Sequence, residues 1–233
     1  MSFKRSLLPH FHYEGDELTS ALISIGVRLS GQKSKRPVNI EDVLLSGSIE
    51  GVLQEDYRVL GLLVDWVEVH GRMINVDRLI SIVEAYNNIK IKYFWKAVGE
   101  SQKVDPRWKK TKNFKVEGRV DLLESGTDFL VKKNGEDERF KNTSLRVPKL
   151  TLRHRLEDIQ TPVTLAKMNS FYRARLMISP SFKADVWAYL EFEPEISTSE
   201  LARISYSSFA TAWQTKKDFE IVNGILETKR GAA

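Results

Sequence analysis

ISTSELARISYSSFATAWQTKKDF, Ile196 to Phe219, reads as two short helical patterns joined by a few small polar residues. Ser197-x-x-Glu200 matches a capping box, in which the hydroxyl accepts from the Glu200 amide while the carboxylate reaches back. Leu201, Ala202 and Ile204 then supply an inner face, Tyr206-Ser207-Ser208 supplies a turn, and Ser207 or Ser208 caps the next helix. In that helix Phe209, Ala212 and Trp213 stand at i, i+3 and i+4, so the spacing predicts that they point inward. Ser208, Thr211, Gln214 and Thr215, followed by Lys216 and Lys217, would then form a polar outer face able to bond base edges or phosphates. Upstream, Ser181 to Phe192 reads as a third helix ended by Glu193-Pro194. Three helices with a tight second turn are the layout of a helix-turn-helix, and also of ordinary helical scaffolding. Beyond them, Glu220 to Val222 and Ile225 to Glu227 flank Asn223-Gly224 and read as two strands of a short wing.

Working outward, residues 1–145 read as a helical domain and 146–233 as the domain carrying this motif, with the boundary between Arg146 and Thr161. Leu18 to Leu29 can form a first helix, broken by GQKSKRP. Asn39 is a cap for the next. Val59, Leu62, Leu63, Trp66, Val67 and His70 follow at helical spacing, with Gly71 as a stop. NVDRLISIVEAY and IKIKYFWKAVGE continue the bundle of antiparallel neighbours. Between the halves, Asn134-Gly135 predicts a small hairpin pairing Asp128 to Lys133 with Arg139 and Phe140. TPVTLAKMNSFYRARLMI returns to helix. The expected class is therefore mainly α.

Composition sets bounds. The 233 residues contain 42% hydrophobic and 29% charged residues, enough for a soluble core, with no apolar run of membrane-spanning length. No secretory signal is read at the start, and the absence of Cys, which excludes disulfides and thiolate metal sites, fits a reducing cytoplasm. Net charge is +5, and the cations cluster: Ser101 to Lys115 holds six Lys or Arg against one Asp. Arg107, Lys109, Lys110 and Lys112, with Arg153 and Arg155 further on, are candidate phosphate contacts, or else a solvated surface. Trp108, among Arg107, Lys109 and Lys110, could stack on a base or bury its indole under snorkelling lysines.

RARLMISPSFKADVWAYLEFEPEISTSELARISYSSFATAWQTKKDFEIV, with KNGEDERFKNTSLRVPKL before it, resembles bacterial winged helix-turn-helix transcriptional regulators. The likeness rests on an R-x-R-L…S-x-x-A-D-V…Y-L helix preceding ELAR…S…T and covers Asn134 to Val222. Related winged-helix proteins act as antitoxins beside nucleotidyltransferase-like toxins. Carried over by position, the resemblance implies that Ser207, Ser208, Thr211, Gln214 and Lys217 face DNA, with Arg203 near its backbone. The short wing is a departure from that pattern.

The reading is a non-enzymatic regulator that binds double-stranded DNA, with no cofactor or metal, its helical half serving dimerisation or a protein partner. Two alternatives stay open. One is an adaptor or antitoxin without DNA binding. The other is a metal-dependent nuclease using Asp121, Asp128 and Lys132, although on a strand Lys132 stands four residues beyond Asp128 with apolar Leu130 between. His10, His12, His70 and His154 are too scattered to form a metal site by spacing, and nucleotide-loop and hydrolase motifs are absent from the sequence.

Overall fold

Ile40 to Val52 is buried nearly all round, Glu41 and Asp42 included, as a helix wrapped by others on every side must be. A computed structural model describes residues 12–231, with side chains through residue 224. Its first helices are α1 (Gly15–Ser24), α2 (Ile40–Leu53), α3 (Tyr57–His70), α4 (Val76–Tyr86) and α5 (Ile89–Ser101). α2 is the centre, touching each of the other four. Side-chain caps set the starts: Asn39 accepts from the Glu41 amide, Asp56 from Arg58 and Val59, Asn75 from Arg78, and Asn88 from Lys90 and Ile91. α1 begins and ends earlier than the apolar run suggests, because Gly26 turns the chain at φ +95.

A 3-10 segment, Pro106–Asn113, folds back on α5. The approach is close: a Cβ on Gly99 would lie 2.2 Å from Thr111 Oγ1 and 2.9 Å from Thr111 Cβ. Gly99→Ala is therefore expected to destabilise by about 1–3 kcal/mol through overpacking. A urea midpoint unchanged from the parent would contradict that close approach.

The middle of the chain corrects the expected hairpin. Strand β1 (Val120–Asp121) pairs in parallel with β2 (Leu145–Arg146), and between them lies a helix, α6 (Thr127–Asn134). Asp128 to Lys133 are thus helical. Gly135, at φ +82, ends α6 by donating its amide to Val131 O. Asn-Gly serves here as a helix stop, a role its left-handed preference suits as well as a hairpin.

The C-terminal elements are α7 (Pro162–Met168), α8 (Ser170–Ile178), α9 (Phe182–Phe192), α10 (Thr198–Ile204) and α11 (Phe209–Gly231). The stretch expected as one helix breaks at Asn169, which caps α8 through the Tyr172 amide and donates to Ser24 O across the fold. The expected wing is absent: residues 220–222 and 225–227 continue α11. An isolated two-stranded hairpin is marginal in water, whereas Glu220, Leu226 and Glu227 are compatible with prolonging a helix already begun. Helices dominate the described residues, none of them long and apolar enough to cross a membrane.

Two apolar cores result, one running from Leu18 to Tyr172 and a smaller one from Phe171 to Phe219. Val147, Leu152 and Ile159 pack into the larger. The change of core therefore falls at the α7–α8 joint, beyond the boundary expected between Arg146 and Thr161.

Candidate nucleic-acid interface

α9, α10 and α11 pack on one another around Val186, Leu190, Ile196, Leu201 and Ala212. Ser181 caps α9 through the Ala184 amide, and Ser197 caps α10 through the Glu200 amide at 3.2 Å. The Glu200 carboxylate pairs with Arg203, at 2.8 Å to Nε. The turn passes through Tyr206 at φ 57, a left-handed residue that lets α11 start in a new direction. Ser208 then caps α11, accepting from the Thr211 amide at 3.0 Å and standing 2.7 Å from its hydroxyl.

The two faces of α11 differ from the expected ones. Ala212, Thr215 and Phe219 are buried, Thr215 to 1% exposure, while Phe209 is 58% and Trp213 44% exposed. α11 lies close over α9, and Trp187 meets Phe219 edge-on at 5.1 Å. Near the start of α11 Ala212 and Thr215 lie beneath the helix, while the rings of Phe209 and Trp213 turn outward. Ser207 is also buried, bonded by Ser205 Oγ at 2.9 Å. Ser207 and Thr215, both expected to face DNA, are thus covered. Lys216 donates to Ile196 O at 2.7 Å and is half-buried. The open face carries Phe209, Ala210, Trp213, Gln214 and Lys217, with Thr211 and Ser208 at its edge. Gln214 bonds Asp218 at 3.0 Å, and Lys217 Nζ sits 3.8 Å above the Trp213 ring. Arg203 is exposed beside this face's helix neighbour.

Among the basic candidates, Arg107 turns inward, bonding Asp105, Ile74 O, Gly71 O and Arg72 O. Lys110 pairs with Asp77 at 2.6 Å. Trp108 is buried and therefore no stacking platform. Lys109, Lys112, Arg153 and Arg155 are exposed. The Pro106–Asn113 segment that carries Lys109 and Lys112 packs on α4 and α5.

The nuclease set does not assemble. Asp121 and Asp128 converge on Arg146, at 3.6 and 2.7 Å, so a guanidinium holds the position a divalent metal would need. Asp65, Glu68 and His154 also bring carboxylates and an imidazole together. There too Asp65 is taken: it accepts from Arg139 Nη1 at 3.0 Å and from the Arg155 amide at 2.6 Å, and lies 2.8 Å from His154 Nδ1. His70 is a core residue, 2.9 Å from the Tyr172 hydroxyl and 3.0 Å from Gln160 O. Burial, partly offset by that carbonyl, pushes its pKa down to about 4.

The least legible group lies where the two cores meet. Glu41 and Asp42 on α2, Arg78 on α4, Arg175 on α8 and Asp185 on α9 are all buried. Arg175 grips Glu41 at 2.6 and 2.8 Å and Asp185 at 2.8 and 2.9 Å. Arg78 reaches Glu41 at 3.2 Å, Asp42 at 2.8 Å and the Asn39 amide oxygen. Asn39 Nδ2 donates to Asp185, and Tyr206 from the α10–α11 turn donates to Asp42 at 3.2 Å, its ring 3.9 Å under the Arg78 guanidinium. Burial alone would raise the Glu41 pKa, but Arg175 and Arg78 hold it below the ordinary carboxylate range. Burial raises Asp42 and Asp185 despite their arginines, Asp185 to about 6. In the sequence these acids sit in helical first turns and look like capping charges.

No protein-family model, no curated protein and no solved structure matches this chain.

Proposed function

We propose that the protein is a DNA-binding regulator that reads duplex DNA with the N-terminal half of α11, backed by α10. One observation carries the reading. A short capped α10 and the turn at residues 205–208 present the first turns of α11 to solvent, with Gln214 and Lys217 on the open side. Gln214 is suited to the paired acceptor and donor of adenine, and Lys217 to guanine or phosphate. Phe209 supports the same reading, since an exposed aromatic can lie against a thymine methyl. The helix must do without a wing, so contacts to the adjacent minor groove are not part of the proposal.

A titration of the whole chain with mixed duplex fragments at two salt concentrations tests it. Binding should weaken steeply with salt, each phosphate contact adding roughly 0.9 to the log–log slope. No binding at the lower salt would overturn the reading. A second reading rests on the exposure of Phe209, Trp213 and Ile221 along one helix. Aromatic residues in that position are typical anchors of a protein partner. A face that retains a protein and ignores DNA would favour that adaptor role.

A further inference from the structure

The buried cluster holds three carboxylates, Glu41, Asp42 and Asp185, against two guanidiniums, Arg78 and Arg175. Fully ionised, it would enclose one uncompensated negative charge, which is costly inside a protein. Hydrogen bonding locates where that charge is worst served. Glu41 accepts from Arg175 twice, from Arg78 and from the Asn75 amide. Asp185 accepts from Arg175 on both oxygens and from Asn39. Among the described residues Asp42 has a charged donor on Oδ1 alone, and its Oδ2 meets only the Tyr206 hydroxyl, at 3.2 Å. A hydroxyl can accept as readily as it donates, so Asp42 Oδ2 can carry a proton without losing its partner.

We propose that this cluster is a proton-operated latch between the two cores: one proton, seated on Asp42 and shared with Tyr206, secures the C-terminal head on the helical bundle. Its loss loosens the dock. The groups lie on both sides of the joint, with Glu41, Asp42 and Arg78 on bundle helices and Arg175, Asp185 and Tyr206 on the head or the helix leading to it. Around Asp42 stand Glu41 from α2, Arg78 from α4, Arg175 from α8, Asp185 and Tyr189 from α9, Tyr206 from the turn and Tyr13 from ahead of α1. Burial raises both Tyr13 and Tyr189, which keeps the phenols neutral. The same two tyrosines line a cleft of about 1010 Å³ between α1, residues 32–38 and α9–α10.

The sign follows from linkage. A carboxyl whose folded pKa is raised binds its proton more tightly when docked, so docking is strongest below the ordinary Asp range and weakens as pH rises through the raised value. Asp42 and Asp185 are both raised, the latter to about 6. Glu41, which is lowered, works the other way and weakens the dock only under stronger acid.

Native-state hydrogen exchange of the full chain, corrected for intrinsic rates, tests the latch. The opening constant of α9–α11 should rise between pH 5 and 7.5, by up to tenfold per pH unit within the titration window. Asp42→Asn leaves two carboxylates facing two guanidiniums and keeps an acceptor for Arg78. It should flatten that rise and open less than the parent at pH 7.5. Tyr206→Phe removes the hydroxyl that donates to the ionised carboxylate and should move the rise to higher pH. A parent constant flat across this range, or an Asp42→Asn head that opens more than the parent at pH 7.5, overturns the proposal.

Discussion

Replacing Arg175 with Met is expected to cost about 3–5 kcal/mol of stability, the range for breaking a buried ion pair by removing one partner. Arg175 is fully buried and supplies bonds to Glu41, Asp185 and Met73 O. Met fills a similar volume, so packing changes little; the cost comes from two carboxylates left without their principal cation. Arg78 reaches Glu41 only at 3.2 Å and cannot serve both. Urea unfolding at pH 7 measures the effect. A loss below about 1 kcal/mol would mean that the cluster is hydrated in solution, since surface ion pairs are worth no more than that.

Trp66→Ala should be comparably severe, at about 3–5 kcal/mol, the usual cost of truncating a buried large aromatic. Trp66 sits in the larger core with no exposure, its ring 5.0 Å from that of His70, and its indole N–H donates to Ile25 O at 2.7 Å. Truncation opens a cavity and strands a carbonyl that ties the end of α1 to α3. Thermal unfolding should show a large loss for the bundle. A variant as stable as the parent would contradict the burial of Trp66 against the end of α1.

How much of this was legible in the sequence depended on distance along the chain. Asn39, Asp56, Asn75 and Asn88 act within three residues of themselves, so the starts of α2 to α5 can be read locally. Ser181, Ser197 and Ser208 are legible for the same reason. Asn134-Gly135 and Asn223-Gly224 were misleading because the dipeptide permits a left-handed turn without saying which element it ends. The orientation of α11 was missed at Trp213. Spacing places it beside Phe209 and Ala212, but only the packing of α9 on α11 decides that Ala212 goes in while Phe209 and Trp213 go out. Glu41, Asp42, Arg175 and Asp185 are illegible because their partners lie far away, 134 residues for Arg175 and Glu41 and 164 for Asp42 and Tyr206. A charge in a first turn looks solvated until the opposing helix is in place.

The absence of Cys from the chain allows the central claim to be tested at a single atom. Gln214→Cys and Val163→Cys each introduce one thiol, the first on the open face of α11 and the second on exposed α7. Each can carry a photoactivatable cross-linker, and each labelled protein is irradiated with duplex DNA at low salt. The account predicts strong cross-linking to DNA from position 214 and little from 163, with both variants folded. Cross-linking from 163 and none from 214 would contradict it.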